Sequence, residues 1–108
     1  MEIVNLTPHP LKFMLESGER VVAPSGAPAR CIETAQPGEP LDGIPTVRKT
    51  FGSVEGLPEP AEGTIYVVSA LAAQAAWVQG RTDVYCPGDP VRDADGHIIG
   101  CRGLCARP

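Results

Sequence analysis

The residues best suited to chemistry lie just after two predicted strands. Asn5, Thr7 and His9 follow the first strand, and Ser69 follows the uncharged run from Thr64 to Val68. If these strands lie parallel, the polar side chains leave the sheet at one carboxyl edge, where open α/β sheets bind ligands. A helix beginning after Ser69 adds free backbone N–H groups, which attract anions. We therefore expect a ligand site at this edge.

Each of these residues also has a purely structural interpretation. Asn5 and Thr7 can stabilise a turn, with His9 simply exposed to solvent. Ser69 can cap the helix by accepting a hydrogen bond from one of its free N–H groups, and this is its favoured role. For the group as a whole, the sequence leaves both interpretations open.

Few charged side chains are available to hold an anion. Arg30 and Arg81 are the candidates, because a guanidinium can grip a phosphate or carboxylate with two hydrogen bonds. Asp83 lies two residues after Arg81 and is included in the candidate site, although the two can equally form an ordinary ion pair with each other.

A hydrolase is a further alternative, with His9 as base, Ser69 as nucleophile and Asp83 as the orienting acid. The glycines that flank the nucleophile in a strand–turn–helix elbow are absent around Ser69. We therefore expect no catalytic residue.

Cysteines and acidic residues near the end of the chain offer weak metal motifs. Three thiols and His97 would suit zinc, but the paired short spacings of zinc ribbons are missing. The run from Asp93 to Gly96 is similar to the start of a calcium loop without its downstream bidentate acid. We expect a hairpin turn there, and no metal or other cofactor. The thiols concerned are Cys86, Cys101 and Cys105.

Length and composition exclude several classes of function. A chain of 108 residues forms one domain, 1–108, and a net charge of −4 without a Lys/Arg run argues against nucleic-acid binding. No segment approaches the roughly 20 apolar residues that cross a membrane. The start of the chain lacks a basic signal-peptide region, so we expect a cytoplasmic protein with reduced thiols.

The elements that position these residues are predicted to be short. Ala70 to Gln79 predicts the one helix, with Leu71, Ala75 and Val78 facing a sheet. Residues 34–43 and 52–63 are expected to be turn-rich, and 100–108 to fray. The fold class is therefore α+β: a small mixed β-sheet of short strands with hairpins and a single packed helix. The predicted strands are 2–6, 11–15, 20–23, 29–33, 44–51, 64–68 and 83–86, with a hairpin formed by 91–92 and 97–99.

Seven segments resemble, in order and over nearly the whole chain, a family of short proteins from bacteriophages, prophages and bacterial genomes. That family comes without an established activity or ligand, so the resemblance transfers no catalytic residue. It implies a small intracellular accessory protein of phage origin. The segments are Ile3 to His9, Pro24 to Gly26 with Ala29-Arg30, Gly56 to Pro58, Thr64 to Ser69, Arg81 to Asp83, Pro87-Gly88 with Val91 to Asp93, and Gly96 to Gly100.

These observations together favour a non-catalytic binding module for a small anionic ligand, such as one derived from a nucleotide. The first alternative is a protein-interaction or structural module that binds a host or phage protein through the proline-rich residues 34–63 and an exposed Trp77. A chain with so many short strands can also complete its core as a homodimer, although no sequence patch identifies the interface.

Overall fold

Ten short strands and one helix make up the chain in a computed structural model, which describes all 108 residues. One helix against several small sheets is an α+β fold, as the sequence predicts. The elements are β1 (Glu2–Asn5), β2 (Leu11–Leu15), β3 (Gly18–Val22), β4 (Arg30–Pro37), β5 (Val47–Glu55), β6 (Thr64–Val67), α1 (Ala70–Val78), β7 (Val84–Pro87), β8 (Pro90–Arg92), β9 (Ile98–Cys101) and β10 (Leu104–Cys105).

The first sheet has the order β1-β6-β7-β10. Its first three strands are parallel, with Glu2 opposite Thr64 and Tyr66 opposite Val84. The parallel arrangement of β1 and β6 that the sequence argument required is therefore present. α1 connects β6 to β7, as expected for neighbouring parallel strands joined by a crossover.

The second sheet has the order β3-β2-β9-β8 and contains the two predicted hairpins. β2 and β3 pair antiparallel, as do β8 and β9 on either side of the Asp-Gly turn. A parallel contact between Phe13 and Cys101 joins the hairpins. Phe13 and Cys101 pack against Val67 of the first sheet, so the molecule has three layers: helix, first sheet and second sheet.

β4 and β5 form a long antiparallel hairpin, which we call the arm (Arg30–Glu55). The sequence interpretation was wrong for residues 34–37 and 52–55, which it assigned to turn-rich loops and which lie in β4 and β5, whereas residues 38–43 do form the turn region between the strands. Asp42 and Gly43 both have positive φ, which is the conformation of a type I′ hairpin turn. Asp42 and Gly43, which the sequence marked as a turn, therefore form the tip of the arm.

α1 runs from Ala70 to Val78 and packs through alanines. The buried residues are Ala72, Ala73 and Ala76, whereas Leu71 and Val78 are exposed. The prediction that the face with Leu71 and Val78 contacts the sheet was therefore wrong. Small side chains let the helix backbone approach the sheet closely, and the larger apolar residues remain on the outer side. This helix is too short to cross a membrane.

The end of the chain is part of the first sheet. Cys101 is buried at the end of β9 in the second sheet, and β10 pairs antiparallel with β7 of the first sheet. Gly88 N donates to Gly103 O at 2.8 Å and Arg102 N donates to Asp89 O at 2.9 Å. The expectation that residues 100–108 would fray was wrong for Gly100 to Cys105, because backbone hydrogen bonds hold this segment without any hydrophobic pattern.

Candidate binding cleft

The carboxyl ends of β1 and β6 lie side by side at one edge of the first sheet. Asn5 is opposite Val67, and Leu6 N donates to Val67 O at 2.8 Å. Thr7 and His9 therefore leave β1 on the same edge from which Ser69 leaves β6. No hydrogen bond joins Ser69 to Asn5, Thr7 or His9.

Asn5 is the one buried polar residue, and its amide is fully occupied within the protein. Nδ2 donates to His9 O at 2.8 Å and to Val22 O at 3.1 Å. Oδ1 accepts from Thr7 N at 2.9 Å and from Thr7 Oγ1 at 2.6 Å. Four bonds use every donor and acceptor position of an asparagine side chain. Asn5 and Thr7 thus hold the turn that presents His9.

Ser69 has the geometry of a helix N-cap. Its backbone is extended, and Oγ accepts from Ala72 N at 3.3 Å. The capping role is confirmed. The side chain is exposed, so it closes the first turn of α1 at the rim of the same edge.

A cleft of about 500 Å³ lies at this edge, within the usual size range of small-molecule sites. Its walls come from the β1–β2 connection, the β7–β8 connection and β9. It therefore lies where both sheets meet. The lining residues are His9, Pro10, Leu11, Lys12, Pro87, Gly88, Pro90, Ile98, Ile99, Gly100 and Cys101.

The lining of the cleft includes His9 and Lys12 but no acidic residue. Lys12 Nζ lies 3.4 Å from Glu19 Oε1 on β3, and both side chains are nearly half exposed. Such an ion pair contributes little in water, so the ammonium is available to a bound anion. Ile98 and Ile99 add apolar surface. The cleft can thus take a ligand with an anionic group and a flat apolar part.

Arg81 and Asp83 lie at the opposite edge of the sheet. Asp83 immediately precedes β7, and Tyr66 N donates to Asp83 O at 2.9 Å. A four-residue strand spans about 13 Å, which separates this end of the sheet from Ser69. The structure therefore does not bring Asp83 and Arg81 together with His9 and Ser69.

Arg81 and Asp83 form a clamp of their own. The guanidinium donates two bonds to the carboxylate, Nε to Oδ1 and Nη2 to Oδ2, both at 2.9 Å. Nη2 also donates to Pro58 O, and the guanidinium carbon lies 5.9 Å from the centre of the Tyr66 ring. These hydrogen bonds lower the pKa of Asp83 and raise the pKa of Arg81. The clamp fastens the loop before β6 onto the sheet.

Arg30 lies nearer the cleft edge. It follows Ala29, whose backbone N donates to Leu6 O at 2.9 Å, and it begins the arm. Its side chain is exposed and forms no ion pair. Arg30 thus shares an edge with Thr7 and is not part of the cleft lining.

The cysteines are divided among different parts of the fold. Cys86 packs on the helix side of the first sheet, and Cys101 packs between the sheets. Burial raises the pKa of both thiols. His97 lies with Asp93 in the β8–β9 turn, where Asp93 Oδ1 accepts from the backbone N of Asp95 and of His97.

Trp77 was expected to be exposed, and this was wrong. Its ring packs against the helix-side core, and Nε1 donates to Val84 O at 2.8 Å.

Sequence reasoning also missed Lys12, Ile98 and Ile99 as lining residues of the cleft. The one available signal was Gly100, because a glycine inside a strand pattern marks the close approach of another backbone.

Comparison of the chain with protein-family models, with curated proteins and with solved structures finds no match.

Proposed function

We propose that the protein is a non-catalytic binding module that holds a small anionic molecule, of nucleotide-like build, in the cleft beside His9 and Lys12. The observation that carries this proposal is a cleft of about 500 Å³ with a histidine, a lysine and no acid in its lining, in a chain whose net charge is −4. An acidic protein that keeps carboxylates out of one cleft leaves that cleft suited to an anion.

His9 and Lys12 have complementary roles in this proposal. The imidazole supplies a directional hydrogen bond, and the ammonium supplies a mobile point charge. The Asn5 network supports His9 by holding the turn before it. Ile98 and Ile99 supply an apolar wall against which the nucleobase of such a ligand can pack. The resemblance to phage proteins supports a cytoplasmic accessory protein that sequesters such a ligand.

Thermal-shift titration tests the proposal directly. The probes are nucleoside mono- and triphosphates, cyclic dinucleotides and the unphosphorylated nucleosides. A true ligand at about 100 times its Kd should raise the unfolding midpoint by roughly 5 °C or more. The nucleosides should have a much smaller effect. If no phosphorylated probe shifts the midpoint, the proposal fails.

Matched variants locate the binding site. Lys12→Met and His9→Ala should each weaken binding about tenfold or more, because each removes a charge-assisted or neutral hydrogen bond. Lys49→Met and His97→Ala are the controls, because Lys49 and His97 are exposed and lie outside the cleft. Equal losses in the control variants would contradict the assignment of this cleft.

The arm favours a second candidate, a protein-interaction module. It projects from the layers and leaves apolar side chains uncovered, including Val47 and Phe51. The hydrolase alternative has no such support, because Asp83 is bound to Arg81 at the far edge of the sheet.

A further inference from the structure

The folded chain has more surface than its mass requires. Its accessible surface is 7412 Å², whereas a compact monomer of 11.4 kDa exposes about 5,800 Å². Its radius of gyration is 16.6 Å, against about 13 Å for a compact domain of this length. The excess surface of about 1,600 Å² exceeds the roughly 800 Å² per partner in a standard protein interface.

The arm accounts for this shape, because β4 and β5 pair only with each other. One face of the arm carries exposed apolar side chains and a single ion pair, and we call it the apolar face. Side chains alternate between the two faces of a strand, so Val47, Lys49 and Phe51 share one face of β5, and Arg48 and Thr50 share the other. On the first face, Lys49 Nζ lies 3.1 Å from Glu33 Oε1 of β4. Pro37 lies opposite Val47 on β4. Nothing within the chain covers the apolar face.

Apolar side chains also occupy the two ends of the arm. At the tip, Leu41 and Ile44 are 67% and 65% exposed, although their backbones are bonded to each other. At the base, Phe51 and the outer face of α1 border a groove of about 450 Å³. Leu71 and Val78 line this groove from the helix, and Val78 is 88% exposed.

We propose that the arm and the outer face of α1 form the interface between two copies of this chain. Phe51 follows Ile44 by seven residues of extended chain, a distance of about 23 Å. When two arms lie antiparallel across a two-fold axis near Val47, the tip of each copy reaches the groove at the base of the other. Each chain supplies both the apolar tip and the groove, so the contact is self-complementary and closes as a dimer.

The charge distribution on the arm fits a second copy better than a strongly charged partner. The arm is almost neutral, although the whole chain carries −4. Two arms can therefore approach without strong repulsion between their acidic groups. The arm carries four acidic and three basic residues: Glu33, Glu39, Asp42, Glu55, Arg30, Arg48 and Lys49.

Sedimentation equilibrium of the full chain tests this proposal. We expect a species of about twice the 11.4 kDa chain mass, with concentration-dependent amide protection confined to the arm and to α1. Val47→Glu and Phe51→Glu should each raise the dimer dissociation constant about 30-fold or more, because each replaces an apolar contact of the interface with a charge.

Val21→Glu is the matched control, because Val21 lies on β3 and has similar exposure to Val47, 56% against 61%. Circular dichroism checks that each variant folds, and the amide protection of the unmodified chain tests the interface without any substitution. A monomer at every concentration up to 1 mM, or a dimer protected outside the arm and α1, would overturn the proposal. So would a dimer that Val47→Glu and Val21→Glu weaken equally.

Discussion

Most polar side chains at the edges of the first sheet hold the fold together. Asn5 uses all four of its hydrogen-bonding positions, Ser69 caps α1, and Asp83 is held by Arg81. Of the residues that sequence patterns grouped together, His9 is the one that lines the cleft. A hydrogen-bonding side chain after a strand has the same sequence signature whether it binds a ligand or a backbone group.

Ser69 offers the clearest test of a capping role at this scale. Ser69→Ala should lower the free energy of unfolding by about 0.5–2 kcal/mol, because Ala72 N loses its acceptor. Ser69→Gly should cost only a few tenths of a kcal/mol, because glycine is tolerated at the N-cap. Urea unfolding of the three proteins measures both differences. A glycine variant as unstable as the alanine variant would contradict a simple capping role.

Asp83 should make stability depend on pH. Its pKa is lower in the folded protein, so its ionised form stabilises the fold above the unfolded value of about 3.9. This contribution is lost as the pH falls through the folded pKa. At pH 7, Asp83→Asn should cost about 1–3 kcal/mol, since it breaks charged hydrogen bonds to Arg81. The difference in unfolding free energy between Asp83→Asn and the parent should shrink progressively below about pH 4.

A double-mutant cycle separates this ion pair from other effects of acid. Arg81→Gln, Asp83→Asn and the double variant are unfolded in urea at pH 7 and at pH 2.5. The coupling free energy should be favourable at pH 7 and smaller at pH 2.5, because protonation of Asp83 is favoured at the lower pH. A coupling that does not change with pH would show that Arg81 does not set the charge state of Asp83.

At the scale of elements, the sequence predicted those whose local chemistry is distinctive. The Asp-Gly turn between β8 and β9 and the helix start at Ser69 are set by neighbouring residues. The sequence predicted strands at 29–33 and 44–51 but not their extension and pairing into the arm, because the prolines and glycines of the neighbouring residues resemble loop composition. The inner face of α1 was missed because periodicity assigns larger side chains to the core, whereas close packing on this sheet selects alanine.

The cleft was only partly predictable for a related reason. The carboxyl edge of β1 and β6 follows from two strand patterns, and His9 was placed there. Lys12 and Ile99 line the cleft because β2 and β9 lie parallel and close together, and this contact joins residues far apart in sequence. No local pattern specifies such a pairing.

Gly100 lies at the contact between β2 and β9, and a substitution there tests how closely the two strands pack. A Cβ on Gly100 would lie 2.7 Å from Lys12 O and 3.1 Å from Met14 Cγ. Gly100→Ala should therefore destabilise the protein by about 1–3 kcal/mol, as other overpacked sites do. Gly103→Ala is the control, because no atom lies within 4 Å of the added carbon. Thermal unfolding of both variants distinguishes the effects, and equal midpoints would contradict close packing of the two strands.

At the scale of the whole molecule, the layered part and the arm are structurally distinct. The helix and the two sheets meet around Val67 and Val68, which are fully buried, and they form the cleft at one edge. The arm contributes little to that core beyond Cys31 and Val54 near its base. The cleft proposed for ligand binding and the surface proposed for self-association therefore occupy separate parts of the chain.

The pairing of β1 with β6 also determines when the molecule can form. Glu2 can pair only after Thr64 has been synthesised, about 60 residues later. At the usual rates of synthesis, this stretch of chain takes roughly 3–12 s to make. The hairpin of β2 with β3, and then the arm, can close during that interval, because their partners are adjacent in sequence. β10 joins the sheet last of all. The local hairpins thus precede the sheet that carries the cleft, and the non-local pairing is the slow step of folding.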